Sequence, residues 1–165
     1  MQQVDATTAI ELLGIPHLQE LSAFGALSED AIVDLLTHGK IERVLKGEYI
    51  KHFSEEAHDF QVVLQGKIAY YKHFEGHDVL TRCFRQGEQM GFDEMIGLIR
   101  RDGTDVAAED SLILNISSIQ FYQLHDRHPA DFGIFMINLA RELAREIEML
   151  EEVIGRGTGW LGETA

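Results

Sequence analysis

Between Gly87 and Asp110 the chain reads GEQMGFDEMIGLIRRDGTDVAAED, and most of what could do chemistry is gathered in that stretch. Turn glycines at Gly87 and Gly91 precede what reads as a short helix, the pair Arg100-Arg101 follows, and Thr104 opens the next extended run. A glycine turn feeding a helix N-terminus, with an arginine in reach, is a physical recipe for holding a phosphate, because unpaired backbone N–H groups and a guanidinium both meet the anion. The acids of the same stretch oppose it. Asp102 and Asp105 flank the densest basic cluster of the chain, and Asp93 and Glu94 stand beside the glycine turn.

Other chemistry is harder to assemble. Eight histidines raise a metal or haem reading, and His73, His77 and Cys83 form the closest grouping. His73 and His77 straddle a turn at Gly76, so their rings do not share a helical face, and no cysteine or carboxylate cluster at metal-ligand spacing accompanies them. Exposed turn histidines are the simpler reading, and no metal is expected. Cys83 alternates with Thr81 and Val79 on one strand face, which favours packing or solvent over reactivity. Nucleophile-elbow, phosphate-loop and zincin patterns are absent, as is the H-x-H pair of a cupin-like metalloenzyme. Asp93-Glu94 and Glu109-Asp110 read as solvated turns rather than acid/base pairs. The expectation is a protein that is not an enzyme and carries no resident cofactor.

The elements that position this stretch follow from periodicity and punctuation. Up to residue 40 the chain reads as short helices: TTAIELL stops at Gly14, HLQELSAF follows, and Ser28 caps LSEDAIVDLLTHG with Glu29 and Asp30 in its first turn. From Ile41 the period becomes two and glycines mark the turns, giving IERVL, EYIKHF, DFQVVL, KIAYYKHF, DVLTRCF, TDVAA and SLILNI as strands. Such closely spaced strands, with no long helix between them, predict an antiparallel β-roll or jelly roll over residues 41–116. Ser117 caps a short helix, and Pro129 begins a long one. On that helix Met136, Ala140, Leu143, Ile147, Leu150 and Ile154 recur at spacings of four and three, a seam that predicts pairing with a second copy. The domain division expected is therefore 1–40 helices, 41–116 roll, 117–154 helices and 155–165 a glycine-rich tail.

Bulk properties narrow the partners. A chain of 165 residues with 45% hydrophobic and 25% charged composition predicts one globular domain, and no apolar run is long enough to cross a membrane. A lone cysteine excludes an internal disulfide, and with no secretory leader in view the expected location is cytoplasmic. A formal net charge of −14 repels polyanions, and no basic stripe offsets it, so DNA binding is not expected.

The order of these pieces resembles the cyclic nucleotide-binding domain superfamily, in the manner of catabolite activator sensor domains, over about Leu21 to Ile154. The residues that carry the resemblance are FGALSEDAIVDLL as the opening helix, LKGEYI with Gly47, FQVVLQGKIAYY with Gly66, RQGEQMG with Gly87 and Gly91, and VAAEDSLILNIS leading into FYQL. What it implies is a mainly β fold with flanking helices, a long dimerisation helix, and a phosphate-binding cassette between the Gly87 turn and the Val-Ala strand. In that cassette a glutamate holds the ribose and an arginine pairs with the phosphate. Aligned without gaps on Gly91 and Ala108, Phe92 takes the glutamate position, Asp102 the arginine position, and Thr104 the place of a small residue beside the phosphate. Sliding the motif by two residues makes Glu94 the ribose ligand and Arg101 or Arg100 the phosphate partner, at the cost of Asp93 replacing a glycine. The gapless alignment keeps every glycine without an insertion. It implies a degenerate cassette, since losing a charge-assisted arginine contact removes about 1.5–3 kcal/mol. FSEEAHDF departs too, with Glu55 and Glu56 where the family has a glycine turn.

The function this implies is a stand-alone regulatory or sensor module with altered or lost nucleotide binding, signalling through its dimer helix to a protein partner and lacking a DNA-reading module. A working cAMP or cGMP site is the alternative. A haem-based sensor using His73 or His77, as the superfamily also contains, is the second.

Overall fold

The structure is a computed structural model that describes residues 1–51 and 57–157. Among these described residues nine strands and six α-helices follow in the order β1 (Gln2–Val4), α1 (Ala6–Leu13), α2 (Ile15–Glu20), α3 (Glu29–His38), β2 (Lys40–Val44), β3 (Tyr49–Lys51), β4 (Asp59–Gln65), β5 (Lys67–Phe74), β6 (His77–Arg85), β7 (Gln89–Met90), α4 (Phe92–Gly97), β8 (Gly103–Ala107), β9 (Ser111–Ser117), α5 (Ser118–Arg127) and α6 (Pro129–Gly157), with a 3-10 turn at Ser22–Phe24. One sheet runs β1-β2-β9-β4-β7 and the other β3-β8-β5-β6, every pairing antiparallel. This is the jelly roll with flanking helices that the sequence predicts.

The layers follow from strand alternation. On β4, Phe60, Val62 and Leu64 face outward and join Leu112, Leu114 and Ile116 of β9 beneath the helices. Val63 and Ile113 point the other way, into the roll, where they meet Ile50, Ile68, Phe84 and Ala107 of the second sheet. The first sheet is thus buried on both faces, which is why DFQVVL reads as a near-continuous apolar run. Under the helices Phe60, Phe92, Phe121 and Phe135 form one aromatic cluster with centroids 5.2 to 6.0 Å apart. Each ring buried this way contributes on the order of 1.5–3 kcal/mol.

Local capping sets the helix starts. Ser28 Oγ accepts from Ala31 N and Ser117 caps α5, as the sequence predicts, and Gln120 completes a capping box with Ser117. Helix α6 is pinned by polar anchors on its buried face. Asn138 Nδ2 donates to Ala23 O (3.1 Å) and Gly25 O (2.7 Å), and Asp131 accepts from Ser28 N (2.6 Å).

Three expectations are corrected. The first forty residues are not helices alone: Gln2–Val4 pairs with β2, extending a sheet edge by a strand too short to show a pattern. Gln89–Met90 forms a second unforeseen strand against β4. Helix α6 continues to Gly157, past the boundary expected at residue 154. The strand expected over EYIKHF is β3, Tyr49–Lys51. His52, Phe53, Glu55 and Glu56 lie outside the described residues, as do residues 158–165. Among the described residues no helix is long and apolar enough to cross a membrane.

Candidate functional site

A cavity of about 420 Å³ opens between the second sheet, the stretch around α4, and the C-terminal half of α6. Strand β5 contributes Tyr70 and Lys72; β6 contributes Thr81, Arg82 and Phe84. The register of β5 against β6 shifts between Tyr70 and Tyr71, leaving Thr81 as a bulge. The bulge changes the phase of alternation, so Val79, Thr81 and Cys83 do not share one face as the pattern alone implies. From the other side come Gly91, Asp93, Glu94, Ile99, Asp102 and Asp105, and α6 adds Glu146, Met149 and Leu150.

Gly91 begins the cassette with φ of 79°, left-handed backbone that glycine adopts without strain. A Cβ there would come within 3.4 Å of the Arg101 guanidinium. Arg101 lies beneath the cavity rather than in it. It is 3% exposed, and Nη2 donates to the backbone oxygen and Oδ1 of Asp59, both at 2.8 Å, while Nη1 stands 3.7 Å from Glu94 Oε2. Asp59 also accepts from Lys51 Nζ (2.5 Å) and Asn115 Nδ2 (2.9 Å). Burial works against ionisation of Asp59, yet the contacts with Lys51, Asn115 and Arg101 hold its carboxyl below the usual range.

On the cavity wall the charge is reversed. Asp102 accepts from the Tyr70 hydroxyl (2.8 Å) and pairs with Lys72 Nζ (2.8 Å). Burial opposes its ionisation too, but Lys72 and Tyr70 outweigh it and its pKa is lowered. The Tyr70 hydroxyl is pushed up, by burial first and by Asp102 second. Tyr70 reaches this position by lying over Gly103, where any Cβ would meet the ring at 2.4 Å. Arg82 pairs with Glu146 of α6, and burial lowers its pKa. Burial pushes Glu94 up to about 7, relieved by Arg101 and reinforced by Asp93 and Asp102. Asp105, 6% exposed, is likewise raised to about 7 by burial and by Glu94, with Arg101 and Lys51 opposing. Its Oδ1 has no hydrogen-bond partner among the described residues.

Helix α6 is wired into the same region. Glu142, buried, accepts from Gln89 N (2.9 Å) and from Ser22 Oγ (2.7 Å). Burial raises its pKa against those two hydrogen bonds. Gln89 Oε1 in turn accepts from Phe92 N (3.0 Å), capping the start of α4.

The residues singled out in the sequence therefore scatter. Gly91, Glu94 and Asp102 line the cavity. Phe92 does not: at 1% exposure it belongs to the aromatic cluster, 5.2 Å from Phe60 and 5.7 Å from Phe121, so it cannot make the cavity more apolar. Arg100 is exposed and outside the cavity lining. Thr104 alternates out of the inward row formed by Gly103, Asp105 and Ala107 on β8. His73 and His77 sit exposed at the tip of the β5-β6 hairpin, and among the described residues no cluster suited to a metal occurs. Along the seam, Met136 and Leu143 pack on the chain's own core and Leu150 lines the cavity, while Ile147 and Ile154 are 58% and 61% exposed. Tyr70, Arg82, Asp105 and Glu146 were not singled out. The signal for Asp105 was present: in GTDVA it is the one acid in an inward row of Gly and Ala.

An antiparallel roll with a glycine-turn cassette and a long C-terminal helix places the chain in the class of jelly-roll domains with helices at both ends. The chain belongs to the cyclic nucleotide-binding domain family, whose model matches residues 41–128, more than half of it. Its fold is similar to the Thermus thermophilus catabolite activator protein, at 20% identity and a TM-score of 0.69 over 83% of this chain and 63% of that one. It is also similar to a cyclic nucleotide-binding domain from Methylobacillus flagellatus (18% identity, TM-score 0.77, 99% and 92% covered). A third similar structure is the regulatory subunit of a cAMP-independent protein kinase A from Trypanosoma cruzi bound to guanosine (19% identity, TM-score 0.60, 82% and 51% covered). No curated protein sequence matches the chain.

Proposed function

We propose that this chain is a non-enzymatic regulatory module whose pocket has exchanged recognition of a cyclic phosphate for that of another small ligand. Bound state then passes through paired α6 helices to a protein partner in the cytoplasm. The observation that carries this reading is the reversed charge of the cassette. Asp102 is held on the cavity wall by Tyr70 and Lys72, while Arg101 is turned beneath it onto Asp59. An anion placed here meets Asp102, Glu94 and Asp105, while the one guanidinium in the lining, Arg82, is already paired with Glu146, and an arginine contact of the kind lost is worth about 1.5–3 kcal/mol.

In support, a cAMP-independent protein of similar fold is bound to guanosine, a ligand without a phosphate. Transmission has a physical route, because Glu146, Met149 and Leu150 of α6 form part of the wall and Glu142 bonds to Gln89. A ligand that contacts the wall differently in two positions of α6 shifts the balance between them.

The test is calorimetric titration of the protein with cAMP and cGMP. The expected result is no measurable heat up to about millimolar ligand, the affinity at which only about 4 kcal/mol of binding energy remains. Micromolar affinity for either nucleotide overturns the reading.

A further inference from the structure

The cavity leaves one buried acid, Asp105, with an unpartnered oxygen beside Glu94, whose ion pair with Arg101 is a long one, and this points to the chemistry of what fills it. Its two lining cations are already committed, Lys72 to Asp102 and Arg82 to Glu146. Arg101, outside the lining, gives only Nη2 to Asp59; its Nη1 stands 3.7 Å from Glu94, and Nε and Nη1 have no hydrogen-bond partner among the described residues. Asp105 is almost wholly buried in the wall, and its Oδ1 meets no donor among the described residues. A buried carboxylate in that state is unfavourable unless a donor or a cation reaches it. Around the mouth, Ile99, Met149 and Leu150 join the rings of Tyr70 and Phe84, a lining suited to a flat apolar body.

Resting on the reading that this cavity is the ligand site, we propose that it takes an organic cation. Such a ligand carries an ammonium or amidinium group that meets Asp105 and Glu94 and a flat apolar body held between the Tyr70 and Phe84 side and Met149 and Leu150 of α6. The cation supplies the donor that Asp105 Oδ1 lacks and a shorter contact for Glu94 than its 3.7 Å pair with Arg101, and the apolar body touches the helix that closes the cavity.

Proton linkage gives the proposal a signature. Asp105 faces Lys51 from β3, Tyr70 from β5, Asp93 and Glu94 from α4, Arg101 from the following loop, and Glu146 across the cavity on α6. With Asp105 and Glu94 both raised to about 7, a cation favours their ionised forms and expels protons on binding. Its affinity therefore rises with pH, by about tenfold between pH 6 and pH 8 for each group involved. A ligand that presents an acceptor to the same groups takes protons up and shows the opposite trend.

The experiment titrates tryptamine and benzamidine as cationic probes, adenosine as a neutral probe and cAMP as an anionic one into the full chain. Each is run at about pH 6 and pH 8 in buffers of differing ionisation enthalpy, on the parent and on Asp105→Asn, a variant of the same shape without the charge. The expected result is that a cationic probe binds the parent with proton release and tightens with pH. Asp105→Asn, still folded by circular dichroism, loses roughly ten- to a hundredfold in affinity for it. Failure of both cationic probes to bind, or equal binding by Asp105→Asn, overturns the proposal. Binding by adenosine alone also overturns it while leaving the loss of phosphate recognition intact, whereas micromolar cAMP binding removes both.

Discussion

Asp59 and Asp105 feel the same two cations, Lys51 and Arg101, and end in opposite states. Asp59 receives Lys51 Nζ, Arg101 Nη2 and Asn115 Nδ2 at hydrogen-bond distance, and its carboxyl is held below the ordinary value. Asp105 is more deeply buried and feels those charges only from a distance, so its carboxyl rises to about 7. Directed donors, rather than the mere nearness of positive charge, decide which acid ionises inside a protein. The first aspartate is a structural anchor that turns Arg101 away from the cavity. The second is left available to a ligand.

The largest effect that sharpens this contrast is at Asp59. Asp59→Asn removes a charge that two buried cations depend on, and breaking such a pair from one side costs about 3–5 kcal/mol. Against a total stability of roughly 5–15 kcal/mol, urea unfolding should show the midpoint collapse. A loss below about 1 kcal/mol would show that Asp59 is not the anchor.

Asp105→Asn should act with the opposite sign, and only at high pH. Because its folded pKa lies near 7 against an ordinary 3.8, the folded chain binds a proton that the unfolded chain has released between those values. Its contribution is complete below about pH 4 and is lost as pH rises through about 7. Asp105→Asn is expected to stabilise the fold by about 1–3 kcal/mol at pH 8, some 2–4 °C in Tm per kcal/mol, and by nothing at pH 4. Thermal unfolding at the two pH values checks it, and an equal change at both breaks the comparison. Asp59, with its lowered pKa, contributes in the other direction: its stability is present above about pH 4 and is lost as pH falls further.

The smallest effect on the fold itself is expected on the exposed side of α6. Ile147→Asp, at an exposed position on α6, should change Tm by no more than about 0.5 kcal/mol would, yet split a homodimer when followed by light scattering. If parent and variant are both monomers at tens of micromolar (a range in which a moderate dimer assembles), the α6 seam does not pair. Leu143 is the poorer probe, because it packs on the chain's own core.

How far the site was legible follows the same division between local and directed effects. The glycine turns at Gly47, Gly66 and Gly76, the cap at Ser117 and the start of α6 at Pro129 were readable because each is set by backbone preferences within a few residues. The three-residue β1 was not, since it exists only through its pairing with β2. Within the cassette, the sequence places Phe92, Glu94, Arg101 and Asp102 close along the chain but carries no instruction on where each side chain turns. Neither alignment of the motif predicted the outcome, in which Glu94 and Asp102 share the cavity while Phe92 and Arg101 leave it.

The sequence by itself determined the order of the principal helices and strands, the roll, the acidic balance and the family, because periodicity, capping and turn chemistry are local and repeat along the chain. Only the tertiary structure decided the character of the site. Phe92 goes to an aromatic cluster assembled from β4, α5 and α6, Arg101 to an acid on β4, and Asp105 into a wall completed by α6. The first two choices minimise exposed apolar area or unpaired charge using partners distant in the chain, the third leaves a charge unpaired, and no reading of neighbours along the sequence contains any of them.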